Sequence, residues 1–310
     1  MEKQCKTVPV VPYEDGFPGP VYSEDCNRFQ TARKLYDEVT KDIVLIRTST
    51  DPHNIGDTGF GTGFFVNKGD EIVTNAHVVT AMPYLEVVTQ DGKHYQGKIE
   101  KLDDLNDMAV VKVIGKDPND KPSLKIDNDT TDLKNGDEVI AFGYPRGFGN
   151  FDVFANPGRY REHGTMLGFL PGKDPSQYPD LQEMKNRAGQ INNPSYSAEV
   201  EQYLNSERIR NSMAIFGGNS GGPAVDADGR VVGVMANRVS GARALMVPAE
   251  KLSEFINKPE TKFNFKYEID EHNHYKLAEI ERKDGSGLPP VILPFIKKAA
   301  APRDPTLSQF

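Results

Sequence analysis

The sequence predicts an all-β protein made of two consecutive β units. Short runs of β-branched and aromatic residues alternate with turns rich in Asn, Asp and Gly, and they recur at the spacing of about 8–12 residues that is typical of barrels and sandwiches. The runs fall into two sets, and a long polar stretch interrupts the second. In the second set, Asp226-Ala227-Asp228-Gly229 has the composition of a hairpin turn.

An arm and a short helix are predicted before the strands. Residues 1–30 contain four prolines and no sustained periodicity, so we expect an extended arm. Residues 31–40 carry Leu35, Tyr36 and Val39 at helical spacing, which predicts a short helix.

The strands then follow in two groups. The first unit spans about 41–130, and its predicted strands are Ile43–Arg47, Gly63–Val66, Ile72–Thr74, Leu85–Thr89, Tyr95–Lys101 and Ala109–Val113. The second unit spans about 131–250, and its predicted strands are Glu138–Gly143, Gly164–Phe169, Gly222–Val225, Arg230–Ala236 and Ala244–Val247.

Two further segments lie outside the repeating pattern. Residues 171–203 are too polar for a core and predict a surface insertion with a helical patch near Leu181–Arg187. Within the C-terminal extension, 261–310, Lys262–Ile269 alternates like a strand. We expect the tail from Gly285 to be partly disordered, although Leu288–Phe295 is apolar enough to dock.

Composition excludes several classes of function. The chain of 310 residues has a net charge of −8, and no dense basic block could contact nucleic-acid phosphates. Its longest apolar runs are strand-sized, so none should span a bilayer. We expect no cofactor.

The compartment is left open by the sequence. No apolar secretory segment follows Met1, so the chain as written has no export signal, and the cytoplasm is expected only if no leader has been removed. If a leader has been removed, export becomes plausible. Cys5 and Cys26, both in the arm, could then form a disulfide, and two free thiols are the alternative.

The segment Phe216–Pro223 contains a candidate nucleophile, Ser220, among four glycines. A serine attacks only when a base takes its proton and donors receive the charge on the attacked oxygen. Glycine permits backbone conformations that direct the N–H groups of Gly218 and Ser220 to one point beside the hydroxyl. The segment therefore predicts acyl-transfer chemistry.

A base and an acid are identified by their contexts. His77 ends a strand-like run, whereas His53, His94 and His163 lie in polar loops. Asp107 directly precedes a buried strand and is the candidate acid. Asp103 and Asp104 belong to a more polar stretch and are expected to be solvated. The order His, Asp, Ser is that of the trypsin-like double barrel, and it differs from the order in subtilisins and α/β-hydrolases.

The three motifs resemble those of HtrA/Deg-type serine proteases, a branch of the trypsin-like superfamily. They are Thr74–Val79 around the histidine, Asp107–Lys112 around the aspartate and Gly218–Pro223 around the serine. Gly59–Val66 is similar to the G-x-G-S-G-F strand of that family, and Gly143-Tyr144-Pro145 is similar to its G-N/Y-P turn. The resemblance covers about Asp42 to Ile256.

This resemblance implies two six-stranded antiparallel barrels and an endopeptidase site in the cleft between them. His77, Asp107 and Ser220 would form the catalytic triad, with an oxyanion hole at Gly218, Asn219 and Ser220. Polypeptides, in unfolded or exposed segments, would be the substrates. By the same analogy the chain could form a homotrimer through its aromatic arm, which contains Tyr13, Phe17 and Tyr22.

The sequence also departs from the family pattern. Fewer than sixty residues follow Ile256, which is too few for the usual C-terminal PDZ domain, so we expect none. Ser212 stands at the usual acidic position before the serine, and Phe216-Gly217 replaces a more polar approach.

The walls of the specificity pocket follow from position in the family pattern. Ala214 and Ile215 are expected on one side, and Met235, Ala236 and Asn237 on the other. Without an acid, a preference for Lys or Arg is disfavoured, and small or medium aliphatic P1 residues are expected.

Several other interpretations stay open. Gly218–Gly222 also fits the G-x-S-x-G elbow of esterases, with His272 or His274 as a later base and Asp270 nearby. The pair of histidines could instead ligate a metal or lie solvated at a strand end. The chain could also be a trypsin-fold binding or scaffold protein, or an enzyme with a latent oxyanion loop.

Overall fold

The computed structural model describes residues 8–10, 21–23, 29–53, 58–120, 124–145, 152–174, 178–239, 243–258 and 261–291. The two cysteines and the arm residues Tyr13 and Phe17 lie outside these ranges. No helix in the described ranges is both long enough and apolar enough to cross a membrane.

In the described residues of the arm and the segment after it, two short strands and a helix precede the barrels. Strand β1 (Val8–Val10) pairs with β2 (Val21–Ser23), and Val10 also lies in parallel register with Ala155 in a strand of the second barrel. Helix α1 (Gln30–Thr40) confirms the predicted helix and buries one apolar face. The described part of the arm thus packs on the chain's own barrel.

The first barrel has six strands. They are β3 (Ile43–Ser49), β4 (Thr58–Val66), β5 (Lys68–Thr74), β6 (Tyr84–Thr89), β7 (His94–Asp103) and β8 (Met108–Val113). Pairing runs in the order β6, β3, β4, β5, β8, β7, and β7 also pairs with β6, which closes the sheet. The one-turn helix α2 (Ala76–Val79) follows β5, and the two-residue strand β9 (Lys125–Ile126) follows the barrel.

The second barrel is built in the same way. Its strands are β10 (Glu138–Gly143), β11 (Phe154–Thr165), β12 (Glu207–Asn211), β13 (Pro223–Val225), β14 (Arg230–Val239) and β15 (Arg243–Pro248). Pairing runs in the order β10, β13, β14, β15, β12, β11, and β10 also pairs with β11. The predicted architecture of two six-stranded antiparallel barrels is confirmed. The hairpin turn predicted between β13 and β14 is confirmed as well.

The insertion between β11 and β12 differs from the sequence prediction. It forms α3 (Met166–Phe169), a short 3₁₀ turn, α4 (Pro179–Ile191) and α5 (Pro194–Leu204). The prediction of a strand over Gly164–Phe169 is wrong beyond Thr165, where helix α3 begins. The Thr165 side chain accepts the N–H of Gly168 and caps this helix. The insertion was also expected to be too polar for a core, and this is wrong. Its helices bury Leu181, Met184, Ala188, Tyr196, Val200, Tyr203 and Leu204 in one cluster with residues of the first barrel.

The C-terminal extension packs against the same apolar cluster as the insertion helices. After α6 (Ala249–Asn257), strands β16 (Phe263–Ile269) and β17 (Tyr275–Arg282) form a hairpin. Strand β16 confirms the predicted strand, whereas β17 was not predicted. The hairpin joins the first barrel where Lys276 pairs with Tyr84 of β6, and Val291 further along is fully buried.

The barrels pack directly against each other. One apolar cluster contains Phe64 and Met108 of the first barrel together with Ile140, Phe142 and Val247 of the second. Because the barrels share this core, the loops that emerge beside it are held at fixed relative positions.

Candidate active site

The predicted acid lies in a tight turn between β7 and β8. Asp103 accepts the N–H groups of Leu105 and Asn106, at 3.1 and 3.0 Å, and so closes the turn. Asp107 ends it in a left-handed conformation, with φ of 61°, which Asp tolerates better than most residues. The Asp107 side chain is buried, so its carboxylate depends on partners in the protein.

Those partners belong to the segment that carries His77. Asp107 Oδ1 accepts the main-chain N–H of His77 at 3.0 Å, and Oδ2 lies 2.7 Å from His77 Nδ1. The Asp107 carbonyl accepts the Asn75 side-chain amide at 2.8 Å and the Ala76 N–H at 3.2 Å. A carboxylate only accepts, so Nδ1 carries the proton and Nε2 is left as the basic nitrogen. The turn thus fixes both the position and the tautomer of His77.

Contacts between the two barrels place Ser220 next to the segment that carries His77. The Ser220 carbonyl accepts the N–H of Thr62 in β4 at 2.9 Å. A Cβ on Gly221 would lie only 2.2 Å from Thr74 Oγ1 and 2.8 Å from the main-chain N of Asn75. Only glycine can approach this closely, and its φ of +85° also favours glycine. The serine therefore adjoins the segment that carries His77.

The backbone before the serine forms a turn with two available donors. The Asn219 N–H donates to the Phe216 carbonyl at 3.1 Å, and Gly218 has φ of +101°. This combination is that of a type II turn, whose third residue needs a positive φ. Within the described ranges, the N–H groups of Gly218 and Ser220 donate to no acceptor, whereas that of Asn219 is occupied. Two N–H groups thus flank the hydroxyl.

Thr62 holds this turn against the first barrel. Its hydroxyl donates to the Gly218 carbonyl at 2.7 Å and accepts the Tyr144 N–H at 3.0 Å. Its carbonyl accepts the Thr74 hydroxyl at 2.7 Å. Sequence reasoning placed Thr62 in a family motif but missed this role, although its position in the G-x-G-S-G-F pattern was a signal.

Comparison with known proteins agrees with this geometry. Residues 61–234 match the model of the trypsin-like peptidase domain, which is more than half of the chain. The chain belongs to the trypsin-like peptidase family. Its relatives include serine protease HTR4 of Rattus norvegicus, 25% identical over 261 residues that cover 82% of this chain and 46% of that protein. Mitochondrial serine protease HTRA2 of Bos taurus is 29% identical over 202 residues, which cover 65% of this chain and 36% of that protein.

A solved structure shows the same fold. The crystal structure of Deg5 has a TM-score of 0.50 and 21% identity, and the similarity covers 73% of this chain and 91% of that chain. The chain spans less than half the length of the two relatives above. The similarity to these two serine proteases confirms the resemblance to HtrA/Deg-type serine proteases.

Of the pocket residues predicted for this trypsin-like peptidase, Met235 and Ala236 in β14 adjoin Ser220. Met235 in β14 exchanges two hydrogen bonds of 2.8 Å with the glycines after the serine, and the Ala236 carbonyl is 3.5 Å from Ser220 Oγ. The Met235 side chain is fully buried in the core of the second barrel, whereas Ala214 and Ile215 are half-buried. The side chain of Asn237 lies outside the described part of the chain.

Ser212 is engaged with β11 and presents no charge. Its hydroxyl accepts the Arg159 N–H at 2.9 Å, and its own N–H donates to the Arg159 carbonyl at 3.0 Å. The side chain is 3% exposed. A serine used in this way offers nothing to a basic P1 side chain.

The histidines of the C-terminal hairpin have local partners. His274 Nδ1 lies 3.2 Å from Asp270 Oδ2, and His272 Nδ1 lies 3.2 Å from His53 Nε2. In the described ranges, no group of three or more His, Cys, Asp or Glu side chains is arranged to hold a metal ion. Strand β13, and no helix, follows Ser220, which is unlike the elbow of esterases.

Proposed function

We propose that this chain is a serine endopeptidase that uses Ser220, His77 and Asp107 as its catalytic triad. The observation that carries the proposal is the double contact of Asp107 with the ring and the N–H of His77, at 2.7 and 3.0 Å, in the segment that adjoins Ser220. Membership of the trypsin-like peptidase family supports the same chemistry.

In the proposed mechanism, Ser220 Oγ attacks the carbonyl carbon of the scissile peptide while His77 Nε2 takes its proton. Asp107 stabilises the imidazolium that forms. The tetrahedral intermediate then collapses, the peptide C–N bond breaks, and His77 gives the proton to the leaving amine. Water attacks the acyl-enzyme by the same route and releases the second product.

The Gly218 and Ser220 N–H groups would receive the developing oxyanion. One such donor contributes about 3–4 kcal/mol to the stability of the transition state. The type II turn supports an active loop over a latent one. Flipping the Gly217–Gly218 peptide to a type I turn would require a negative φ at Gly218, whereas the observed φ is +101°.

We further propose that the substrates are unfolded or exposed polypeptide segments with a small or medium aliphatic P1 residue. A cleft between two barrels accepts an extended backbone, which a folded substrate does not present. Ala214, Ile215 and Ala236 are apolar, and Ser212 is neutral and buried against β11. These features favour an aliphatic side chain over Lys or Arg.

Digestion of reduced casein tests this function. Wild-type protein and Ser220→Ala are incubated with casein and separately with a small activated ester, and the new N-termini are sequenced. We expect casein fragments cut after Ala, Val or similar residues, and none with the variant. Cleavage of the ester alone would indicate an esterase. Binding of casein without cleavage of either substrate would indicate a scaffold protein.

A further inference from the structure

A buried ion-pair network joins the C-terminal hairpin to the insertion. Arg282, at the end of β17, is 4% exposed in its side chain. Its Nη1 and Nη2 donate to the two carboxylate oxygens of Glu199 in α5, at 2.9 and 2.5 Å. Its Nε donates to the Leu288 carbonyl at 3.1 Å, and Nη2 also reaches the Pro289 carbonyl at 3.3 Å. Among side chains, only the planar guanidinium of arginine forms such a bidentate pair with a carboxylate.

The same guanidinium reaches the turn that carries the triad acid. Arg282 Nη2 lies 3.5 Å from Asp104 Oδ2, which also accepts the Val291 N–H at 2.8 Å. Asp104 is 1% exposed, so the expectation that it is solvated is wrong. Burial raises the pKa of its carboxyl, whereas the Val291 N–H and the Arg282 charge act in the opposite direction. A carboxylate in this position requires both partners.

Contacts on two sides therefore fix the turn from Asp103 to Asp107. On one side, Asp107 binds the segment of His77. On the other, Asp104 binds Arg282 and Val291, and Leu105 packs against the apolar cluster that contains the insertion helices and Val291. A turn of five residues transmits a shift at one end to the other, because Asp103 closes it with hydrogen bonds to the residues between.

We propose that Arg282 is a positioning residue for Asp107. Its ion pairs with Asp104 and Glu199 bring the C-terminal extension and the insertion together on the Asp103–Asp107 turn, so full activity requires an intact extension. This inference rests on the proposed peptidase function. Arg282 contacts neither substrate nor the reacting atoms, and it acts through the turn.

The test compares Arg282→Met with a matched control on the same hairpin. Lys266→Met removes two exposed ion pairs of Lys266, with Glu279 at 3.0 Å and Glu281 at 2.6 Å, which do not involve the turn. Asp104→Asn is the milder variant, since Asn still accepts the Val291 N–H and the pair between Arg282 and Glu199 is kept. All proteins are assayed well below their melting temperatures.

Two readouts distinguish positioning from a structural role. We expect Arg282→Met to lower kcat about 10- to 100-fold with little change in KM, as for a catalytic group displaced by about 1 Å. The downfield NMR resonance of the proton between His77 Nδ1 and Asp107 should broaden or disappear in the same variant. Lys266→Met should match wild type in both measurements.

Unchanged kcat and an unchanged His77 proton in folded Arg282→Met would overturn the proposal. If that variant does not fold, the same result with Asp104→Asn would overturn it. The proton resonance is observed without any substrate. A wild type that shows the resonance but cleaves nothing would refute the peptidase function, and the positioning role could still be decided by NMR.

Discussion

Replacing Thr62 by valine should displace the turn from Phe216 to Asn219, which carries the proposed oxyanion donor, while leaving the fold intact. Thr62 is fully buried, and its hydroxyl bonds both the Gly218 carbonyl and the Tyr144 N–H, at 2.7 and 3.0 Å. Valine keeps the shape of the side chain and removes both hydrogen bonds. Serine keeps the hydroxyl and loses only a methyl group, so Thr62→Ser is the matched control.

The size of the effect follows from the bond to Gly218. A buried polar group left without a partner costs about 1–3 kcal/mol. If the turn moves so that the Gly218 carbonyl finds another partner, the Gly218 N–H leaves the position in which we propose that it binds the oxyanion. A loss of that size in transition-state stabilisation lowers kcat about 5- to 150-fold. Thr62→Ser should keep kcat within about threefold, since both hydrogen bonds can form.

Steady-state cleavage of a fluorogenic peptide with an aliphatic P1 residue measures this effect. Melting temperatures of both variants are recorded so that kcat is compared between folded proteins. The reasoning would be refuted if Thr62→Val kept wild-type kcat, or if Thr62→Ser lost as much activity as Thr62→Val.

Three further predictions follow from the site and its surroundings. Asp107→Asn should lower kcat by roughly 10⁴-fold in the peptide assay, because an amide no longer holds the histidine in the required tautomer; a loss below tenfold would contradict the assigned role. Gly221→Ala should lower the melting temperature and abolish labelling by a fluorophosphonate, because its Cβ would lie 2.2 Å from Thr74 Oγ1 and 2.3 Å from the Thr62 carbonyl; a folded, reactive variant would be inconsistent with this packing. Burial raises the pKa of the Asp104 carboxyl above its usual 3.8, so the folded protein binds this proton more tightly than the unfolded chain does. The protonated carboxyl therefore stabilises the folded state at low pH, and this contribution is lost as pH rises through the folded pKa. Urea unfolding from pH 4 to 7 should show Asp104→Asn gaining stability relative to wild type as pH rises, and a pH-independent difference would argue against the raised pKa.

The two barrels were predictable, and the candidate site residues could be named, because their signals are local. Strand runs, the hairpin turn after Val225 and the glycines around Ser220 each encode backbone conformation within a few residues. Chain order then associated His77 and Asp107 with the serine. The close contact of Gly221 with the segment of His77 explains why glycine is required there.

The insertion was misread because its apolar residues are diluted by polar ones. Leu181, Met184 and Ala188 fall on one helix face, and the polar positions between them dominated the composition. Helical periodicity, rather than average polarity, was the informative signal.

The network of Arg282 could not be predicted from the sequence. Asp104, Glu199 and Arg282 belong to three distant segments, and a charged residue in a polar stretch is usually solvated. Asp104 is buried where the extension docks on the first barrel, since Arg282 and Val291 of the extension contact its carboxylate. Likewise, the bond from Thr62 to Gly218 depends on how the two barrels meet.

Mapping the adduct of a fluorophosphonate most directly tests the claim that Ser220 is an activated nucleophile. The probe is added to wild type, Ser220→Ala and Ser253→Ala, the last altering a serine of α6, and labelled peptides are identified by mass spectrometry. We predict one adduct per chain, at Ser220, in wild type and Ser253→Ala, and none in Ser220→Ala. An unlabelled wild type, or an adduct at another residue while Ser220 stays unmodified, would contradict the account.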